Sequence, residues 1–133
     1  MKLITVAKLL MIFVGISGCF SVLFGAWLAH GGQSLPLASQ ERLMTALTYQ
    51  FIHTLALMLT LILYKLDTKA MLLIAGILFA SGIVLFSGSL YIKTLFDVLS
   101  FGKLAPSGGL SFALAWLLVG FAGTKVFVHK LGN

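Results

Sequence analysis

Acidic side chains are nearly missing from this sequence. Three Asp and Glu stand against nine Lys and Arg in 133 residues, and charged residues make up only 9% of the chain. A water-soluble domain carries about 25% because its surface faces water, so most side chains here must be solvated by something else. Cysteine occurs once, at Cys19, which excludes an internal disulfide and leaves redox compartment unspecified. Proline occurs twice, at Pro36 in a connection and at Pro106 near a helix start. What is abundant is apolar: 60% of residues are hydrophobic, and the mean hydropathy is +1.12. A chain of this length forms one domain at most.

The basic excess would point to nucleic acid in a soluble protein. Here the Lys and Arg residues sit at the ends of apolar runs, where they act as topology signals and lipid head-group contacts. The partner they imply is the lipid bilayer; no nucleic acid is expected. Dividing the chain at its charges leaves four uncharged runs, Leu9–Ala29, Leu43–Tyr64, Ala70–Ile92 and Leu104–Thr124, each 21 to 23 residues long. At about 1.5 Å rise per residue each covers roughly 30 Å, the hydrocarbon thickness of a bilayer. The runs lack the strict alternation of membrane strands, and isolated strands would leave backbone groups unpaired in lipid. The sequence therefore predicts an all-α integral membrane protein, a single transmembrane domain over residues 1–133 built as a four-helix bundle.

Lys2, Lys8, Lys65, Lys69, Lys125 and Lys130 fall on one side of this arrangement, and Arg42, Lys93 and Lys103 on the other. The positive-inside rule then places both termini and the Lys65–Lys69 turn in the cytoplasm. The short turn from Tyr64 to Ala70 makes the second and third helices antiparallel neighbours. In the first connection, Gly31, Gly32 and Pro36 are loop formers. Ser39 is expected to cap the second helix, with Glu41 in its first turn. In the third connection Leu95, Val98 and Leu99 share one helical face and Lys93, Asp97 and Ser100 another, which predicts a short helix lying in the interface. Pro106 is expected in the first turn of the fourth helix. No internal repeat is visible.

Lys2, Lys8 and the box Ile16-Ser17-Gly18-Cys19 also resemble a bacterial lipoprotein signal. The apolar run continues unbroken through Leu28, so the segment is read as a retained span. Lipid tails are as apolar as Leu, and membrane helices associate by close packing and interhelical hydrogen bonds. Small residues at four-residue spacing mark such faces: Ser17, Ser21, Gly25 and Ala29, with Gly18 beside them. Gly76 with Ala80, and Ser81 with Gly88, do the same on the third helix. Gly108, Gly109 and Ala113, then Gly120 and Gly123, follow on the fourth. Internal packing is the expected use of these stripes, seating of a partner subunit the alternative.

No Asp, Glu, Lys or Arg lies inside any run, which disfavours proton-driven export of cations, since such transporters commonly hold a carboxylate in the membrane. The titratable residue deepest in the membrane besides the thiol is His53, with Tyr49 and Gln50 on its face of the helix. Cys19 and Ser81 lie at similar depth, with Ser17 and Ser21 close by. A neutral imidazole in hydrocarbon needs both nitrogens satisfied, and hydroxyls on neighbouring helices could do this. A structural histidine is the first reading, a proton-relay or substrate contact the second. His30, His53 and His129 fall at different depths and cannot ligate one haem between them, and Cys19 with His53 is two ligands short of a structural zinc site. No cofactor and no metal is expected.

Several segments together, Gly25-Ala26-Trp27-Leu28-Ala29-His30-Gly31, then Tyr49-Gln50 with His53, Leu85-Phe86-Ser87-Gly88-Ser89-Leu90-Tyr91, and Pro106-Ser107-Gly108-Gly109 followed by Trp116, resemble the small membrane family called transmembrane protein 256, or domain of unknown function 423. The likeness covers nearly the whole chain, and Phe-Ser-Gly-Ser-Leu-Tyr is its most specific part. Trp27-Leu28 depart from the Phe-Gly common in the family. The resemblance implies four membrane helices in bacterial inner membranes or mitochondria, and no particular biochemical activity.

On the expected topology these motifs converge on the outer half of the bundle. His53, Tyr49, Gln50, His30, Ser87, Ser89, Tyr91 and Ser107 are the candidate polar cluster. They line either a small cavity or helix crossings that their neighbouring glycines tighten. Two functions remain open. One is a non-enzymatic homo-oligomer or accessory subunit of a larger membrane complex. The other is a carrier or channel for a small neutral or weakly basic solute. An enzyme stands third: Ser87 or Ser89 with His53 is the one nucleophile–base pair that can be named, and glycines and serines at helix crossings are commoner.

Overall fold

The computed structural model describes the backbone of residues 2–131 and the side chains of residues 2–124. Lys125, His129 and Lys130, used above for topology and for haem, have side chains outside that range. All regular structure among the described residues is helical. Helix α1 runs over Leu3–His30, α2 over Leu37–Leu66, α3 over Ala70–Leu95 and α4 over Ala105–Leu131. All four are long and apolar enough to cross a membrane. At 28 residues α1 spans about 42 Å. It extends beyond its uncharged run because helical hydrogen bonding continues through the head-group region.

The connections depart from expectation in two places. A 3₁₀ turn, Gly31–Ser34, follows α1 directly. A Cβ at Gly31 would lie 2.9 Å from the Trp27 indole nitrogen, and one at Gly32 would lie 2.7 Å from Leu28 Cδ1, so a larger residue at either position has to displace those side chains. The amide of Gln40 reaches back to donate to the carbonyls of Leu35 (2.8 Å) and Gln33 (3.1 Å). Pro36, not Ser39, is the N-cap of α2. Its carbonyl accepts from the amides of Ser39 (2.9 Å) and Gln40 (3.1 Å), so the helix starts three residues earlier than Ser39 would have set it. Glu41 consequently lies in the second turn, where the dipole favours an anion less.

The interfacial helix expected over Lys93–Ser100 is interrupted. The α3 helix stops at Leu95, Asp97 adopts φ 57°, and a 3₁₀ helix occupies Leu99–Leu104. Asp tolerates this left-handed conformation better than most residues, and one such residue breaks a helix. Pro106 does sit in the first turn of α4.

An element with no sequence expectation lies inside α3. Residues Ile83–Gly88 form a π-helical turn between α-helical Ala70–Gly82 and Ser89–Leu95. Close by, α3 and α4 cross at short range. A Cβ on Gly82 would stand 2.5 Å from the Phe112 ring, and one on Gly108 would run into the backbone of Phe86. Two apolar cores result. One gathers Leu10, Leu57, Leu61, Phe79 and Phe112, the other Leu28, Leu43, Ala46 and Tyr91. Helix α1 is the least enclosed, with 17% of its most apolar stretch buried against 28–44% in the others.

Candidate functional site

Tyr49, Gln50 and His53 share one broad side of α2, but Tyr49 and Gln50 are about 100° apart around the helix. They meet different neighbours. Gln50 turns toward α1 and α3. Its amide donates to Ser17 Oγ (3.0 Å), and its carbonyl oxygen accepts from the Tyr91 hydroxyl (2.8 Å). Ser17 Oγ lies 2.7 Å from Thr54 Oγ1, and Thr54 also donates back to the Gln50 carbonyl at 2.7 Å. Ser21 donates to the Ser17 carbonyl (2.8 Å). Phe20 and Phe24 of α1 hold the Tyr91 ring, with centroids 5.5 and 4.8 Å away. Ser17, Gln50, Thr54 and Tyr91 thus tie three helices together. All four are buried.

His53 faces the other way, toward α3 and α4. Its ring stacks on Phe112 with centroids 3.6 Å apart and planes 11° apart. Tyr49, Phe79 and Trp116 surround it at 5.6 to 6.3 Å. The Nδ1 lies 2.6 Å from the Tyr49 carbonyl. Only a protonated nitrogen can pair with that oxygen, so Nδ1 donates and Nε2 is left as the acceptor. The neighbouring hydroxyls expected to satisfy this imidazole do not do so; its own helix supplies the bond. Tyr49 is 42% exposed.

The remaining candidates divide. Ser87 is buried and donates to the Ala46 carbonyl at 2.7 Å, joining α3 to α2. Ser89 is buried but bonds the Phe86 carbonyl of its own helix (2.9 Å). His30 and Ser107 are exposed and lie outside both groups. Among the packing residues, Ser17 and Ser21 are buried. A Cβ at Gly25 would touch Leu47 at 3.3 Å, and Gly108 is the tightest site of all. Gly88 is nearly free of neighbours and Gly109 has none within 4 Å. Cys19 is exposed, and Ser81 pairs with Ser111 at 2.9 Å rather than with His53.

Sequence reasoning missed Thr54, Ser111 and the aromatic enclosure of His53. Thr54 was within reach, four residues after Gln50 on the same face. Phe79 and Phe112 were not, because nothing local to α3 or α4 points at α2. Among the described residues no buried side-chain nitrogen or oxygen lacks a hydrogen-bond partner. An open groove of about 260 Å³ lies between α1 and α3, bordered by Phe13, Phe20, Val84 and Gly88, with Ser17, Gln50 and Tyr91 along it. Chemically, the arrangement divides its donors and acceptors between joining helices, as Ser17, Gln50, Ser87 and Tyr91 do, and bonding carbonyls of the same helix, as His53 and Ser89 do.

Comparison with known proteins agrees with this architecture. The chain is 33% identical over 120 residues to the UPF0382 membrane protein YwdK of Bacillus subtilis, covering 89% of this chain and 98% of that one. It is 32% identical over 114 residues to the UPF0382 inner membrane protein YgdD of Escherichia coli K12, covering 85% and 87%. It is 35% identical over 122 residues to the UPF0382 membrane protein SAB0533 of Staphylococcus aureus, covering 89% and 97%. No solved structure gives a significant match. The family model "Protein of unknown function (DUF423)" matches residues 24–109, a stretch that contains the Gln50–Tyr91 pair, His53 and the π-helical turn. Four membrane-length helices and these matches make the chain a member of the DUF423 family of small membrane proteins.

Proposed function

We propose that this protein is a non-enzymatic membrane subunit that works by association, with copies of itself or with a larger membrane assembly. The supporting observation is that nine of its helical glycines fall into two classes. Gly25, Gly76, Gly82 and Gly108 are packed against neighbouring helices, whereas Gly15, Gly18, Gly109, Gly120 and Gly123 face open space. Glycine inside a helix costs stability, and in lipid it is used where another backbone comes close. On α1, Gly15, Cys19 and Ala26 lie exposed at heptad-like spacing on the outer surface, so α1 is the face offered to a partner.

In this reading the Gln50 network and the His53 stack hold the bundle rigid behind that face. Ser87 and Ser89 donate their hydroxyls to the Ala46 and Phe86 carbonyls. Neighbouring helices are antiparallel, with both termini cytoplasmic in a bacterial inner membrane, as the six-to-three lysine and arginine distribution favours. The chain's single cysteine makes the test direct. Mild oxidation of native membranes is expected to give a disulfide-linked species of twice 14.3 kDa if α1 packs on α1, and Cys19→Ser removes it. Packing on a different subunit instead gives a copurifying protein lost in Gly15→Leu/Gly18→Leu. A monomer with neither outcome refutes the association reading.

The second reading is a carrier or channel for a small neutral or weakly basic solute. It is favoured by the lateral groove that meets Ser17, Gln50 and Tyr91. Solute uptake abolished by Gln50→Leu with the fold intact would select it.

A further inference from the structure

A second groove, of about 420 Å³, opens between α1 and α2 at the end of the bundle that carries the N-terminus and the α2–α3 turn. Its walls match. On α1 they are Ile4, Ala7, Lys8 and Met11; on α2 and just beyond it, Leu61, Tyr64, Lys65 and Thr68. Both sets follow the i, i+3, i+4, i+7 spacing of a single helical face, and each carries one lysine. Lys8 and Lys65 are both exposed. The nearest acid in sequence to Lys65, Asp67, is paired to Lys69 at 2.5 Å. Neither Lys8 nor Lys65 has an ion-pair partner among the described residues. The other acids, Glu41 in the second turn of α2 and Asp97 in the α3–α4 connection, lie at the opposite end.

From this we infer that the groove is a binding site for one anionic phospholipid. The phosphate sits between the Lys8 and Lys65 ammonium groups, the acyl chain runs inward along Met11 and Leu61, and Ile4 and Ala7 flank the head-group end of the groove. The hydroxyls of Tyr64 and Thr68 are within the same groove to meet head-group oxygens. Charge complementarity selects the occupant. Two uncompensated cations at a membrane-facing groove attract an anionic head group, and the apolar side chains of Ile4, Ala7, Met11 and Leu61 around them have no use for a free phosphate. Long lysine side chains at helix ends reach the interface readily, so the charges need not enter the hydrocarbon. This site is independent of the outward face of α1 and of whether the protein associates.

The test is native mass spectrometry of the purified full chain titrated with phosphatidylglycerol or phosphatidylcholine. Wild type is expected to prefer phosphatidylglycerol roughly thirtyfold, the scale two lysines near a surface supply. Lys8→Gln/Lys65→Gln brings the two lipids to parity, whereas Lys8→Arg/Lys65→Arg keeps the preference. Ala7→Phe fills the groove while leaving both charges, and is expected to lower lipid occupancy. Lys93→Gln/Lys103→Gln, at the other end, leaves the preference unchanged. The proposal is overturned if the Lys8/Lys65 glutamine pair retains the preference or if the distal pair loses it equally. Unchanged occupancy in Ala7→Phe, or displacement of the lipid by millimolar inorganic phosphate, overturns it as well.

Discussion

His53 and Gln50 are three residues apart and do different work. Gln50 is a connector, with both ends of its amide engaged by other helices. His53 is packed chiefly as an aromatic ring, with one nitrogen bound to its own helix. Substitutions should separate them. His53→Phe keeps the stack on Phe112 and is expected to change stability by less than about 1.5 kcal/mol. His53→Ala opens a cavity among four rings and is expected to cost about 2–4 kcal/mol, on the scale of large-to-small core changes. Chemical unfolding in detergent measures both. A proton relay at His53 would erase this difference in function, because Phe would then be as inactive as Ala. Tyr91→Phe removes the donor to Gln50 and should cost about 0.6 kcal/mol, up to about 1.7, as interhelical hydrogen bonds in membranes do. The residue types in this region were legible in the sequence, but their grouping was not. A helical wheel puts Tyr49, Gln50 and His53 on one side, and it cannot tell which neighbouring helix each will meet.

At the scale of elements, the four spans could be read from charge placement alone, because solvation by lipid is a property of composition over twenty residues. Interruptions within or between spans were harder. Pro36 starts α2 ahead of Ser39 because its carbonyl is already placed to accept the first amides. Asp97 breaks the interfacial helix at a single backbone angle. The π-helical turn at Ile83–Gly88 has no sequence signature of the kind that proline gives a kink, yet such turns recur at functional positions. Here it coincides with the α3–α4 crossing and precedes Tyr91 by three residues. The crossing supplies a sharp prediction. Gly108→Ala drives a methyl into the Phe86 backbone and is expected to cost about 1–3 kcal/mol, as overpacking does. Gly109→Ala, one residue on, meets nothing within 4 Å and is expected to be neutral or slightly stabilising. Thermal denaturation of the two variants side by side checks the pair.

For the molecule as a whole, membrane residence follows from four apolar helices and from family membership. Orientation rests on lysines and arginines, and reporter fusions measure it. A cytoplasm-active reporter at the C-terminus is expected to be active, and a periplasm-active one inactive. Reversing Lys65 and Lys69 to Glu should weaken that bias, since it removes two of the six positive charges on the side assigned to the termini by charge.

The Ser17–Gln50–Tyr91 network has one more consequence for α1, the most lipid-exposed of the four helices. Hydrocarbon is indifferent to which leucine it touches, so a helix in a bilayer could slide by one turn, about 5.4 Å, with little change in solvation. A slide of that size would carry Ser17 away from Gln50 and strand both in oil. The network therefore works as a latch on axial position, keeping the outward face of α1 at one fixed depth in the bilayer. Any companion helix would find that face always at the same height.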